Sequence, residues 1–172
     1  MSEAGAIRVR PATPDDAAAL GRLGALLVAT HHAFDAERFI APGPGTERGY
    51  GGFLARQLQR EDAVVLVEEG GDDGGRAVVG YVYAVMEGND WMALRGPAGV
   101  IHDLAVDPDH RRGGVGQRLL AAALEALARR GAPRVVLFTA QKNAAAQRLF
   151  AAAGFRPTMI EMTRETPGSR SA

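Results

Sequence analysis

Between Val100 and Arg130 the chain passes from a hydrophobic strand, through a basic glycine-rich turn, into a long amphipathic helix. This succession restricts the fold more than any other feature. The strand, Gly99 to Val106, stops at Asp107-Pro108. The turn is Arg111-Arg112-Gly113-Gly114-Val115-Gly116. The helix, Gly116 to Arg130, carries Leu119, Leu120, Ala123, Leu124 and Leu127 on one side. Arg129-Arg130-Gly131, with Pro133 just beyond, ends it. A buried-type strand, Arg134 to Thr139, comes next. A strand–helix–strand connection of this length favours a right-handed crossover between parallel neighbours.

The remaining pattern places other elements around that unit. Ala6 to Arg10 alternates like a short strand. Thr13-Pro14-Asp15-Asp16 starts a helix, with Thr13 as N-cap and acids near the positive end of the dipole; it runs to about Thr30. Ala41-Pro42-Gly43-Pro44-Gly45 breaks regular structure, and a second helix covers Tyr50 to Arg60. Ala63 to Glu68 and Arg76 to Met86 read as a hairpin turning at Gly70 to Gly75. Asn143 to Ala153 is a helix capped by Asn143 and stopped by Gly154. Phe155 to Thr163 returns as a strand, and Thr166 to Ala172 reads as a disordered tail. The expected architecture is one mixed α/β domain over residues 1–165.

The turn before the long helix suits an anion. Its glycines admit a close ligand and positive φ. Free N–H groups at a helix start attract negative charge, and Arg111 and Arg112 add to this. A turn without a ligand would need none of these coincidences, and together they describe a pyrophosphate cradle. A dinucleotide fingerprint is a poor match, because Leu119 stands where its third glycine belongs and no acid ends the strand at Thr139. The Gly-Lys-Ser/Thr of a P-loop is absent.

Composition removes whole classes of function. With no cysteine in 172 residues, disulfides, thiolate metal sites and a cysteine nucleophile are excluded. The four histidines are scattered without ligand spacing, so no metal is expected. Net charge is zero and no dense basic run occurs, which argues against nucleic acid. No apolar run approaches the roughly 20 residues of a membrane span, and Met1 to Ile7 has no signal-peptide pattern. A cytoplasmic protein is the expectation.

These residues resemble the GNAT superfamily of N-acetyltransferases. Its signature, Arg/Gln-x-x-Gly-x-Gly/Ala after the fourth strand, is matched by Arg111-x-x-Gly114-x-Gly116. Leu104-Ala105-Val106-Asp107-Pro108 is similar to the family's strand ending. A second family pattern lies at Asn143-Ala144-Ala145-Ala146-Gln147-Arg148-Leu149-Phe150 and closes on Gly154-Phe155. The resemblance implies a central, mostly antiparallel mixed sheet with helices on both faces and parallel fourth and fifth strands that splay apart. It implies acetyl-CoA as co-substrate. The backbone of Leu104, Ala105 and Val106 would pair with the pantetheine arm. Arg111, Arg112, Gly113, Gly114, Val115 and Gly116 would hold the pyrophosphate, and Asn143 would reach the pantetheine. Ala146 and Phe150 would touch the coenzyme or pack in the core.

Acyl transfer requires a neutral amine, and an alkyl ammonium has a pKa of about 10.4, so its proton must be removed. Strand parity turns Val100, His102 and Leu104 toward the acceptor side and Asp103 away. His102 is then the titratable residue in place as base, against a reading in which it only packs. Glu87 is a second candidate, and Asp103 becomes one if a bulge shifts the register. Phe150 stands where many family members have a tyrosine, and it cannot protonate a leaving thiolate. His31 and His32, at the end of the first helix, and Asp90-Trp91, before the fourth strand, lie where the family builds its acceptor pocket. The expected activity is acetylation of a primary amine on a small molecule. A protein N-terminus or lysine, or a non-catalytic CoA-binding module, is the alternative. A homodimer is compatible with either.

Overall fold

The computed structural model describes residues 8–70 and 77–167. Strand β1 (Arg8–Pro11) leads through a 3-10 turn (Pro14–Asp16) into helix α1 (Ala17–Phe34), followed by α2 (Thr46–Gln57). Then come β2 (Ala63–Gly70), β3 (Ala77–Glu87) and β4 (Ala98–Val106). A second 3-10 turn (Pro108–His110) precedes α3 (Val115–Arg129), β5 (Val135–Leu137) and α4 (Ala144–Ala152). The sheet order is β1-β2-β3-β4-β5. The first three pairings are antiparallel and β4–β5 is parallel.

Both faces of the sheet are covered, so its central strands are apolar almost throughout. Val65, Val67, Tyr81, Tyr83 and Val85 pack under α1 and α2 with Leu20, Leu23 and Leu54. Val64, Val82, Ala84 and Ile101 face α3, whose Leu119, Leu120, Ala123 and Leu127 fill the second core with Phe150 of α4. The expected mixed sheet with helices on both faces is the observed one.

Several expectations on the boundaries change. Helix α1 runs one turn further, to Phe34, so His31 and His32 lie inside its last turn. Helix α2 starts at Thr46, where the Thr46 hydroxyl accepts from the Gly43 N–H at 2.7 Å. No strand forms over 155–163. Strand β5 pairs over only three residues and offers no edge of matching length, and Met159, Ile160 and Met162 are exposed. An ion pair between Arg38 and Glu161 ties this segment to the loop after α1. The expected turn at 70–75 falls on residues outside the described ones from 71 on. So do the start of the first expected strand and the tail from 168. Among the described residues no helix is long and apolar enough to cross a membrane.

Candidate active site

The sheet opens where β4 outruns β5. Their pairing is Gly99↔Val135, Val100↔Val136 and Ile101↔Leu137, and there it stops. Residues His102 to Val106 continue β4 with no strand partner on that side. The gap is an open cleft lined by Leu27 and His31 of α1, His102 to Leu104 of β4, and Asn143, Ala146 and Phe150 around α4.

One extra residue decides which side chains of β4 face this cleft. Tyr83 pairs with Asp103 and the next residue, Ala84, with Ile101, so His102 is the bulged residue. A bulge of this kind restarts the alternation. Asp103 consequently faces α1 and α2 together with His102, whereas Leu104 packs in the α3 core. This corrects the parity expectation, which turned Leu104 toward the acceptor side and Asp103 away. The adjacent polar pair His102-Asp103 in an otherwise apolar strand was the available signal.

Asp103 is 8% exposed. Its Oδ2 accepts from the Tyr50 hydroxyl at 2.7 Å and the Tyr81 hydroxyl at 3.0 Å. Burial pushes the Asp103 carboxyl above its ordinary range, and the two hydroxyl donors oppose that shift. Burial and the neighbouring carboxylate push both tyrosines up as well, so they stay protonated as donors. Tyr50 can reach Asp103 because residue 24 of α1 is glycine: a Cβ there would lie 2.2 Å from the Tyr50 ring.

His102 stacks on Tyr83 with ring centroids 5.3 Å apart. Its Nε2–H donates to Glu87 Oε1 at 3.0 Å. Glu87 Oε2 accepts from Arg95 Nη2 at 2.7 Å. Arg95 in turn closes the loop before β4 through two backbone hydrogen bonds with Asp90. Glu87 thus touches His102 rather than lining the cleft. Trp91 sits on this loop, 81% exposed and apart from the cleft. His31 lines the cleft, with its Nδ1–H donating to the Leu27 carbonyl at 2.8 Å. His32 instead donates to the Phe39 carbonyl at 3.0 Å.

At the other end of β4 the glycine-rich turn is built for close approach. Arg112 and Gly114 have φ of 65° and 80°, and Gly114 is the N-cap of α3, whose first amides receive no side-chain cap. Val115 is buried, and a Cβ on Gly116 would touch Leu149 of α4 and Val106. Arg111 Nε donates to the Val106 carbonyl at 3.3 Å, so one acceptor on the free edge of β4 is engaged. The carbonyl of Leu104, two residues back, lies on the same free edge, whereas Ala105 pairs with Tyr81 of β3. Asn143 Oδ1 caps α4 by accepting from the Ala146 N–H at 3.1 Å while the residue also lines the cleft. Phe150 is buried against Phe155 and closes the cleft floor.

The family model described as the acetyltransferase (GNAT) family matches residues 29–155, well over half of the chain. The chain belongs to this family. It is similar to the mycothiol acetyltransferase of Clavibacter michiganensis subsp. michiganensis, 36% identical over 77 residues. That match covers 45% of this chain and only 25% of the relative. Among solved structures, a tetramutant of the BH1408 protein from Bacillus halodurans superposes with a TM-score of 0.77 at 20% identity, over 92% of this chain and 99% of that one. The structure of AAC(6')-Iy in complex with the bisubstrate analogue CoA-S-monomethyl-acetylneamine superposes with a TM-score of 0.67 at 16% identity, over 94% and 99%. At these identities the two structures speak for the fold alone.

Proposed function

We propose that this GNAT domain moves an acetyl group from acetyl-CoA to a primary amine of a small molecule, and that residues 1–165 carry the activity. One observation carries the reading: the parallel β4–β5 pair separates after Ile101 and Leu137, one strand length from a basic glycine-rich turn at the start of α3. That distance lets a single extended ligand lie with its diphosphate at Arg111 to Gly116 and its thioester in the cleft. The residues fit such a group. The turn supplies free amides and two arginines, and the edge of β4 supplies backbone N–H and C=O groups for an added strand. The similarity to a mycothiol acetyltransferase supports a small-molecule acceptor.

The amine must lose a proton as it attacks. His102 is the base in this reading, supported by its contact with Glu87: in the neutral ring, an Nε2–H donated to that carboxylate leaves the lone pair on Nδ1. Backbone N–H groups of β4 polarise the acyl carbonyl. Phe150 donates no proton, and a thiol pKa near 8.5 lets the thiolate leave unassisted. A second reading for the base is Asp103, because both tyrosine hydroxyls bind Oδ2 and leave Oδ1 available.

Gly114→Asp tests the coenzyme site. The substitution puts a carboxylate into a left-handed position beside Arg118 and in front of the diphosphate. Calorimetry with acetyl-CoA on the folded variant should show binding weakened by at least about 100-fold, roughly 2.7 kcal/mol. Unchanged affinity would remove Arg111 to Gly116 from the binding site.

A further inference from the structure

Arg118 lies one turn into α3, and its guanidinium spans two distant parts of the chain. Nη2 donates to Glu68 Oε1 at 2.6 Å, and Nε lies 3.2 Å from the same oxygen. Nη1 donates to the carbonyl of Gly113 at 3.0 Å. Glu68 is 1% exposed, near the end of β2, with its carboxylate turned to Arg118 of α3. A carboxylate buried this deeply is costly unless paired, and apolar side chains would fill such a site at least as well for stability alone. The position of the pair points to what its outer end does.

That outer end fixes one peptide plane of the glycine-rich turn. In a trans peptide the C=O and the following N–H point in opposite directions. With the Gly113 carbonyl turned to Arg118, the Gly114 N–H is turned away from it. Gly114 heads the uncapped first turn of α3. Its φ of 80° favours glycine, and a Cβ there would sit 2.7 Å from Arg118 Nη1, so any side chain would push the guanidinium aside.

We infer that Arg118, anchored by the buried Glu68, is a positioning residue: it locks the Gly113–Gly114 peptide so that the Gly114 N–H faces the diphosphate of the coenzyme. The inference rests on the reading of Arg111 to Gly116 as the coenzyme site. Arg118 acts through the backbone, its own charge being balanced by Glu68.

Two variants test it. Glu68→Leu with Arg118→Met removes both charges together, so no buried carboxylate is stranded. Arg118→Lys keeps a cation against Glu68, but one ammonium replaces the fork that reaches the Gly113 carbonyl. In each, KM for acetyl-CoA should rise about tenfold, a loss of roughly 1.4 kcal/mol. Turnover at saturation should stay within about twofold, as for a lost uniform binding interaction. Circular dichroism and thermal unfolding confirm the fold. Wild-type KM in either folded variant overturns the inference; for Arg118→Lys it would mean that charge alone suffices. Wild-type protein that fails to bind acetyl-CoA in calorimetry sinks the coenzyme site itself, and this inference with it. Binding by wild type with no change in the variants sinks the positioning role only.

Discussion

His102 and Asp103 share a face of the sheet only because β4 carries one residue more than β3 between Asp103 and Ile101. Their environments then differ sharply: His102 is half-exposed at the cleft, and Asp103 is buried under two tyrosine hydroxyls. His102→Ala should lower turnover at neutral pH by about 10²–10⁴-fold with acetyl-CoA affinity nearly intact. The defect should shrink toward pH 9, where more of the amine is already neutral. Rate against pH for wild type and variant checks this, and parallel profiles with little loss would pass the role to Asp103. The Asp103 carboxyl also has a stability signature. Its folded pKa is raised, so its ionisation works against the fold. That cost is absent below the unfolded value of about 3.9 and complete once pH exceeds the folded value. Asp103→Asn, which still accepts from both hydroxyls, should therefore unfold at a higher temperature than wild type at pH 7–8. An unchanged or lower midpoint would show that the carboxylate is not disfavoured by its burial.

At the level of elements, α1 lines one side of the cleft, and β4 and α4 line the other. Helix α2 can deliver Tyr50 to Asp103 because α1 is cut back to glycine at 24. Gly24→Val fills that notch. Overpacking of this kind costs about 1–3 kcal/mol, measurable by denaturant unfolding, and the displaced Tyr50 should lose its hydrogen bond to Asp103. Full stability in the variant would mean that α2 shifts freely and that the notch is not needed. The α3 unit was readable beforehand, since its apolar stripe and its glycine-rich start are local patterns. Phe155 to Thr163 had the composition of a strand and forms none, because a strand exists only where a neighbouring edge accepts it, and β5 offers three residues.

Across the whole molecule, a single charge cluster closes the far edge of the sheet. Arg10 of β1 donates to both oxygens of Asp16 at 2.8 and 2.9 Å and to Glu69 of β2 at 2.6 Å. The Arg10 guanidinium, with the Thr13 N–H, holds the Asp16 carboxyl below its ordinary range. A lowered folded pKa gives stability that is present above the unfolded value of about 3.9 and is lost as pH falls through the folded value. Asp16→Asn should therefore cost about 1.5–3 kcal/mol at neutral pH and flatten the fall in stability on acidification below the unfolded value. Urea unfolding across that range checks it, and superimposable curves would show that the pair is energetically idle. What the chain alone determined is local in origin: the order of elements from β1 to α4, the long helix and the glycine-rich turn. Each follows from side-chain period, capping residues or backbone freedom within a dozen neighbours. Tertiary structure decided what depends on register and on partners far along the chain. The bulge at His102 exists only against β3, Asp103 meets Tyr50 and Tyr81 only after two helices and a sheet have assembled, and Glu68 reaches the turn only through Arg118. A single residue of strand register reverses a side chain's face, and the polar pair His102-Asp103 marks an irregularity in β4 that only pairing with β3 turns into a bulge.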